Sequence, residues 1–87
     1  MLDPHQQRGA IAATAPYQPI PCALHSEYEW LAMRGAAVRV RLGDGTTLDG
    51  RARDVAARAG VEYLHLEHHP GERLELRLDR IAGIKPL

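Results

Sequence analysis

The stretch Val38-Arg39-Val40-Arg41-Leu42-Gly43-Asp44-Gly45 decides the fold. Val38, Val40 and Leu42 alternate with Arg39 and Arg41, the period of two that marks a half-buried strand. Gly43-Asp44-Gly45 follows at once, and these residue types tolerate the positive φ of a tight hairpin turn. A second strand is therefore expected from about Thr46 to Val55, with Leu48 inward. Gly50 inside it predicts a bulge or sharp bend, the device that curls small sheets. Ala59-Gly60 turns the chain into a third strand, Val61 to Glu67, with Leu64 and Leu66 on one face. Pro70-Gly71 turns it again into Arg73 to Leu78, where Leu74, Leu76 and Leu78 point inward. Ile81 and Ile84 make a last short strand, stopped by Pro86.

Upstream of the strands, Ser26 and Glu29 have the spacing of a capping box, which predicts a helix starting at Ser26. Glu27 and Glu29 would then suit the positive end of the helix dipole, Arg34 the negative end, and Gly35 the stop. Tyr28, Leu31 and Leu24 or Ala32 mark its buried side. At about two and a half turns it cannot stand alone and must pack on the sheet. Before it, Pro16-Tyr17-Gln18-Pro19-Ile20-Pro21-Cys22 carries three prolines, which hold the backbone extended. Tyr17 and Ile20 are its expected anchors. Residues Met1 to Ala15 show no periodicity and read as a flexible tail.

The architecture expected is a tail over 1–15 and one domain over 16–87. That domain is mainly β, with a short N-terminal helix followed by a strongly bent five-stranded antiparallel barrel. Its 87 residues suffice for one domain at most. With no Phe in the chain, Val, Leu, Ile and Ala must fill the core, with Tyr and Trp as the large pieces. Eleven basic and eleven acidic residues cancel, which argues against a general nucleic-acid binder, whose affinity comes from phosphate neutralisation. The lone Cys22 allows no intrachain disulfide and fits a reducing cytoplasm. No apolar run reaches the roughly 20 residues of a membrane span.

Little in the chain points to catalysis. His65, His68 and His69 match no compact ligand spacing, so neither metal nor cofactor is expected. Ser26, Cys22 and the histidines supply no nucleophile with a base and an orienting group. A binding protein without an active site is the expectation. Arg39, Arg41, Arg51, Arg53, Arg73 and Arg77 admit two readings. They form a solvated face paired across strands with Asp49, Glu67 and Glu75, or a basic groove for RNA. Trp30 likewise is either a core residue or a partner contact.

Two resemblances overlay this pattern. Gly35-x-x-Val38-x-Val40-x-Leu42-x-Asp44-Gly45, then Leu48-x-Gly50 and Asp54, resembles the first motif of Sm-like proteins. The second is narrower and runs from Tyr17 to Ile84. Tyr17-Gln18-Pro19-Ile20-x-Cys22, Asp44-Gly45, Asp54, Val61-Glu62-Tyr63-Leu64-x-Leu66-Glu67, Gly71-Glu72 and Leu74-Glu75-Leu76-Arg77-Leu78-Asp79-x-Ile81 together resemble the Rho-binding antiterminators, the Rof family. That resemblance implies a cytoplasmic regulator that binds the hexameric termination factor Rho. It would block Rho's primary RNA-binding sites, which lie on OB-fold domains, and compete with RNA rather than bind it. The contact residues it suggests are Glu27, Tyr28, Glu29 and Trp30 on the helix, with Arg58 beside a turn, in a monomeric protein. The alternative is an Sm-like RNA-binding module.

Overall fold

The alternating segment forms strand β1, Ala37–Leu42, whose Val38 and Val40 are wholly buried while Arg39 and Arg41 face solvent. In this computed structural model the described residues are 16–87, so the tail expected over 1–15 lies outside them. β1 is followed by β2 (Thr47–Arg58), β3 (Val61–His69), β4 (Glu72–Arg77), a 3₁₀ turn at Leu78–Arg80 and β5 (Ile81–Pro86). The five strands make one antiparallel sheet in the order β4-β3-β2-β1-β5. The 3₁₀ turn carries the chain from one end of that order to the other. Gly43 N–H donates to Arg80 O across the seam at 2.9 Å, joining the hairpin turn to this crossing.

The bend comes from β2. Its first half pairs with β1, Arg41 opposite Thr47 through Ala37 opposite Arg51. Its second half pairs with β3, out to Arg58 opposite Val61. The expected irregularity at Gly50 falls elsewhere: Gly50 stays in register opposite Val38, and the shift lies between Ala52 and Asp54. Glycine is needed at 50 for a different reason. A Cβ there would sit 2.5 Å from the Glu67 carbonyl oxygen, so only a bare backbone allows β3 this close.

The helix, α1, spans Cys22–Met33 and begins one turn earlier than its sequence signal. Pro21 occupies the N-cap position with extended backbone, and its carbonyl accepts from Leu24 N–H and His25 N–H at 3.0 Å. No side chain caps the helix, so the expected Ser26–Glu29 capping box does not form. Ser26, Glu27 and Glu29 stand within the body of α1, away from the dipole's positive end. Gly35 ends it as expected, with φ +59° after the Arg34 cap.

Tyr28, Leu31 and Ala32 meet Val38, Val40, Ala52, Leu64, Leu66 and Leu78 in one core. Fully burying each large aliphatic side chain stabilises the fold by about 1.5–3 kcal/mol relative to exposure. Tyr17 and Ile20 pack against that core as their segment's anchors. The same segment is held at its polar side. Gln18 N–H donates to Asp79 Oδ2 at 3.0 Å, while Arg77 grips both Asp79 oxygens at 3.0 and 2.8 Å and donates to Pro16 O at 3.3 Å.

Candidate partner-binding surface

The phase of α1 follows from its start at Cys22. Leu24, Tyr28 and Leu31 recur at four and three residues and turn toward the sheet. Ser26, Glu27, Trp30, Met33 and Arg34 consequently face outward. Trp30 is 59% exposed and Met33 77%. The reading of Trp30 as a core residue is therefore corrected. The Arg34 guanidinium lies 5.8 Å from the Trp30 ring centroid, a cation–π arrangement. Between α1 and the end of β5 runs a shallow groove of about 480 Å³, lined by Ala23, Ser26, Glu27, Trp30, Arg34 and Pro86, with Leu31 at its floor.

The five suggested contact residues separate into four groups. Glu27 and Trp30 share the outer groove. Glu29 is exposed but engaged, accepting from or facing His25 Nδ1 at 2.9 Å. Tyr28 is 1% exposed and belongs to the core, because its place in the Leu24–Tyr28–Leu31 stripe points it at the sheet; it is removed from the surface set. Burial, then the charge of Glu27, raises its phenol pKa. Arg58, at the end of β2, is engaged on the sheet's outer face. It donates to Glu75 at 2.9 and 3.3 Å and lies 4.9 Å from the Tyr63 ring centroid.

Two arginines of the stripe, Arg39 and Arg53, form cross-strand pairs. Arg39 holds both oxygens of its ladder partner Asp49 at 2.7 and 2.9 Å. Arg53 donates twice to Glu67 Oε1 at 3.1 and 2.6 Å. These hydrogen bonds hold the Asp49 and Glu67 carboxyls below their ordinary pKa. Burial pushes Asp79 upward, yet the bonds from Arg77 and the Gln18 N–H outweigh it and keep that carboxyl low. The histidines are engaged too, His68 Nδ1 with Asp49 O at 2.8 Å and His65 Nε2 with Glu75 at 3.6 Å. Among the described residues no group of three or more His, Cys, Asp or Glu is arranged to hold a metal ion. Among those residues, too, no helix is long and apolar enough to cross a membrane.

Sequence reasoning passed over His25, Met33 and Gln18. His25 precedes Glu29 by four residues, a spacing that pairs side chains on a helix surface. That signal emerges once the helix is known to begin before it.

Comparison with known proteins matches this geometry to a family. The family model described as "Modulator of Rho-dependent transcription termination (ROF)" matches residues 19–87. The chain is 40% identical over 67 residues to Protein rof of Escherichia coli (strain K12), covering 77% of this chain and 79% of that protein. Protein rof of Shigella flexneri gives the same figures. Two solved structures share the fold. One is YaeO bound to magnesium from Vibrio cholerae O395, with TM-score 0.64 and 19% identity over 70% of this chain and 79% of that one. The other is XC5848 from Xanthomonas campestris, described as a novel variant of the Sm-like motif. Its TM-score is 0.55, with 20% identity over 84% and 95% of the two chains. A bent five-stranded Sm-like sheet behind a helix, matched in sequence over residues 19–87, belongs with the Rof family of modulators of Rho-dependent transcription termination, of which this chain is a member.

Proposed function

We propose that this protein binds Rho directly, as a monomer, and covers the primary RNA-binding site so that RNA is excluded. The outer face of α1 is the contact surface, with Glu27 and Trp30 at its centre and Glu29 and Met33 beside them, and Arg58 on the sheet is a further contact. The observation that carries this reading is the exposure of Trp30, 59% open to water next to a 77% exposed Met33 on a three-turn helix. Exposed large apolar side chains grouped on one face mark an interaction surface, and Trp is the residue type most enriched among binding hot spots.

The mechanism follows from what an OB-fold RNA site offers. Such a site combines aromatic platforms, on which bases stack, with a positive groove that tracks the phosphates. Trp30 presents a flat ring of the kind that occupies a base platform. Glu27 places a carboxylate in the same groove, and Glu29 adds a second on the neighbouring side of the helix, where phosphates would otherwise lie. A rigid helix loses little freedom on docking, whereas single-stranded RNA must be ordered. The RNA-binding alternative has weaker support, since Arg39, Arg53, Arg58 and Arg77 are already held by carboxylates.

The test is a calorimetric titration of purified Rho with the protein, with and without pyrimidine-rich RNA. Binding that RNA displaces is expected. No binding at tens of micromolar, or binding indifferent to RNA, would remove the proposal.

A further inference from the structure

We propose that His25 is a positioning residue for the partner-facing helix: a proton-dependent latch that ties the first turns of α1 to β3. Its ring stands between two carboxylates. Nδ1 faces Glu29 Oε1 at 2.9 Å on the same helix, and Nε2 meets Glu62 Oε2 on β3. A neutral imidazole has one donor and one acceptor nitrogen, while an ionised carboxylate only accepts. Both nitrogens face carboxylate oxygens here. Only the doubly protonated ring can donate to both, and loss of either proton turns a nitrogen lone pair toward an anion.

Glu62 is badly placed to lose that donor. Its Oε2 is buried, and among the described residues the His25 ring is the group that serves it; the buried Tyr17 hydroxyl has no hydrogen-bond partner among those residues. Burial, then the Glu62 charge, then that of Asp79, raises the Tyr17 phenol pKa, so this hydroxyl borders the same anionic rim. The charged groups that meet His25 are Glu29 from α1 and Glu62 from β3, and Glu62 in turn acts on Tyr17 of the extended segment, on which the charges of Asp79 and Arg77 also bear. α1 packs chiefly on β2; the His25–Glu62 contact is its ion pair to the neighbouring strand. Glu27 and Trp30 ride on the helix so tied, and the latch fixes their direction. The latch needs both ring N–H donors, so it belongs to the imidazolium form of the ring.

The free full-length protein tests this without any partner. Urea unfolding at about pH 6 and about pH 8 is compared for the wild type, His25→Gln and Glu62→Gln. The wild-type folding constant should exceed that of His25→Gln by about two- to fivefold at the lower pH, the range of partly exposed ion pairs, with the difference gone at the higher. His65, His68 and His69 are present in every variant and cancel from the comparison. Glu62→Gln supplies an amide that can donate to a neutral ring, so its profile should be flat relative to the wild type. The NMR titration of the His25 ring should also move when Glu62 is replaced. Identical pH profiles in all three proteins, or a His25 titration indifferent to Glu62→Gln, would overturn the latch. A second arm rests on the proposed Rho binding: wild type should bind Rho more tightly at about pH 6 than His25→Gln, and equally at about pH 8. Failure of all variants to bind Rho would sink that reading and leave the unfolding result standing, whereas binding with no difference between the variants at either pH would overturn the positioning role.

Discussion

Replacing Gly50 with alanine should be among the most damaging single-methyl changes this protein can receive. The added Cβ would lie 2.5 Å from the Glu67 carbonyl oxygen, 3.0 Å from Leu66 Cγ and 3.1 Å from the Glu67 carbonyl carbon. Real Cβ atoms essentially never approach closer than 3.0 Å, so β2 and β3 must part by about 0.5 Å or more. The obstacle is backbone, which cannot swing aside as a side-chain tip would. Overpacking of this kind costs about 1–3 kcal/mol. The separation also strains the adjacent Arg51–Glu67 rung, where each weakened hydrogen bond adds about 0.5–1.5 kcal/mol. A total of about 2–4 kcal/mol is a large share of the roughly 5–10 kcal/mol available to a domain this small. The Tm should fall by roughly 10–30 °C. Far-UV circular dichroism during heating and urea titration reads both quantities. The sign is diagnostic, because Gly→Ala inside an unobstructed strand stabilises by about 0.5–1 kcal/mol. Gly43→Ala is the internal control: its φ is not positive and its nearest obstacle, Arg80 O, is 3.7 Å away. That variant should be neutral or gain about 0.4–1 kcal/mol. A Gly50→Ala protein as stable as wild type, or a Gly43→Ala protein equally damaged, would refute the close-approach account.

Three further outcomes follow from the structure. Ser26→Ala should leave the urea midpoint within about 0.5 kcal/mol of wild type, whereas removal of a true N-cap typically costs about 1 kcal/mol. Asp79→Asn should loosen the Pro16–Gln18 segment, raising its amide exchange. Because the Asp79 carboxyl is held low in the folded state, its contribution is present above the ordinary carboxylate range and lost as the pH falls through the folded value. The gap in urea midpoint between wild type and Asp79→Asn should thus close below about pH 4. Trp30→Ala should change stability by less than about 0.5 kcal/mol yet weaken Rho binding by about 30-fold or more, the loss expected of a hot spot. Equal Rho affinities in a calorimetric comparison would move the contact surface elsewhere.

The strands were legible because their signals are local. Alternation at Val38–Leu42 and glycines at turns depend on neighbours one or two residues away. The start of α1 was not legible for the opposite reason. Ser26 and Glu29 have the spacing of a cap, but Pro21, whose carbonyl accepts the first helical bonds, had already begun the helix. Setting the start wrongly left Trp30 undecided, whereas Tyr28 was legible on the buried side and stood among the contacts only through the resemblance. The bulge went to Arg53 rather than Gly50 because its position depends on how β3 lies against β2, a fact carried by Glu67 and Leu66. The His25–Glu62 contact joins residues far apart in sequence and has no local signature. The arginine pairs were legible in outline, since a register that gathers the apolar residues on one face gathers the alternating charges on the other.

The fastening of Gln18 and Pro16 to Asp79 and Arg77 spans 61 residues in each case, and it sets an order of events. Hairpins β1–β2, β2–β3 and β3–β4 join neighbours in sequence and can form as the chain lengthens. β5 must then reach back to β1, and the proline segment can dock only when the turn at Leu78–Arg80 exists. Closing such long loops before their contacts form slows folding. The segment leading into the partner-facing helix is thus among the last to settle during synthesis, so a nascent chain would complete its sheet before it could present that helix in its final seat.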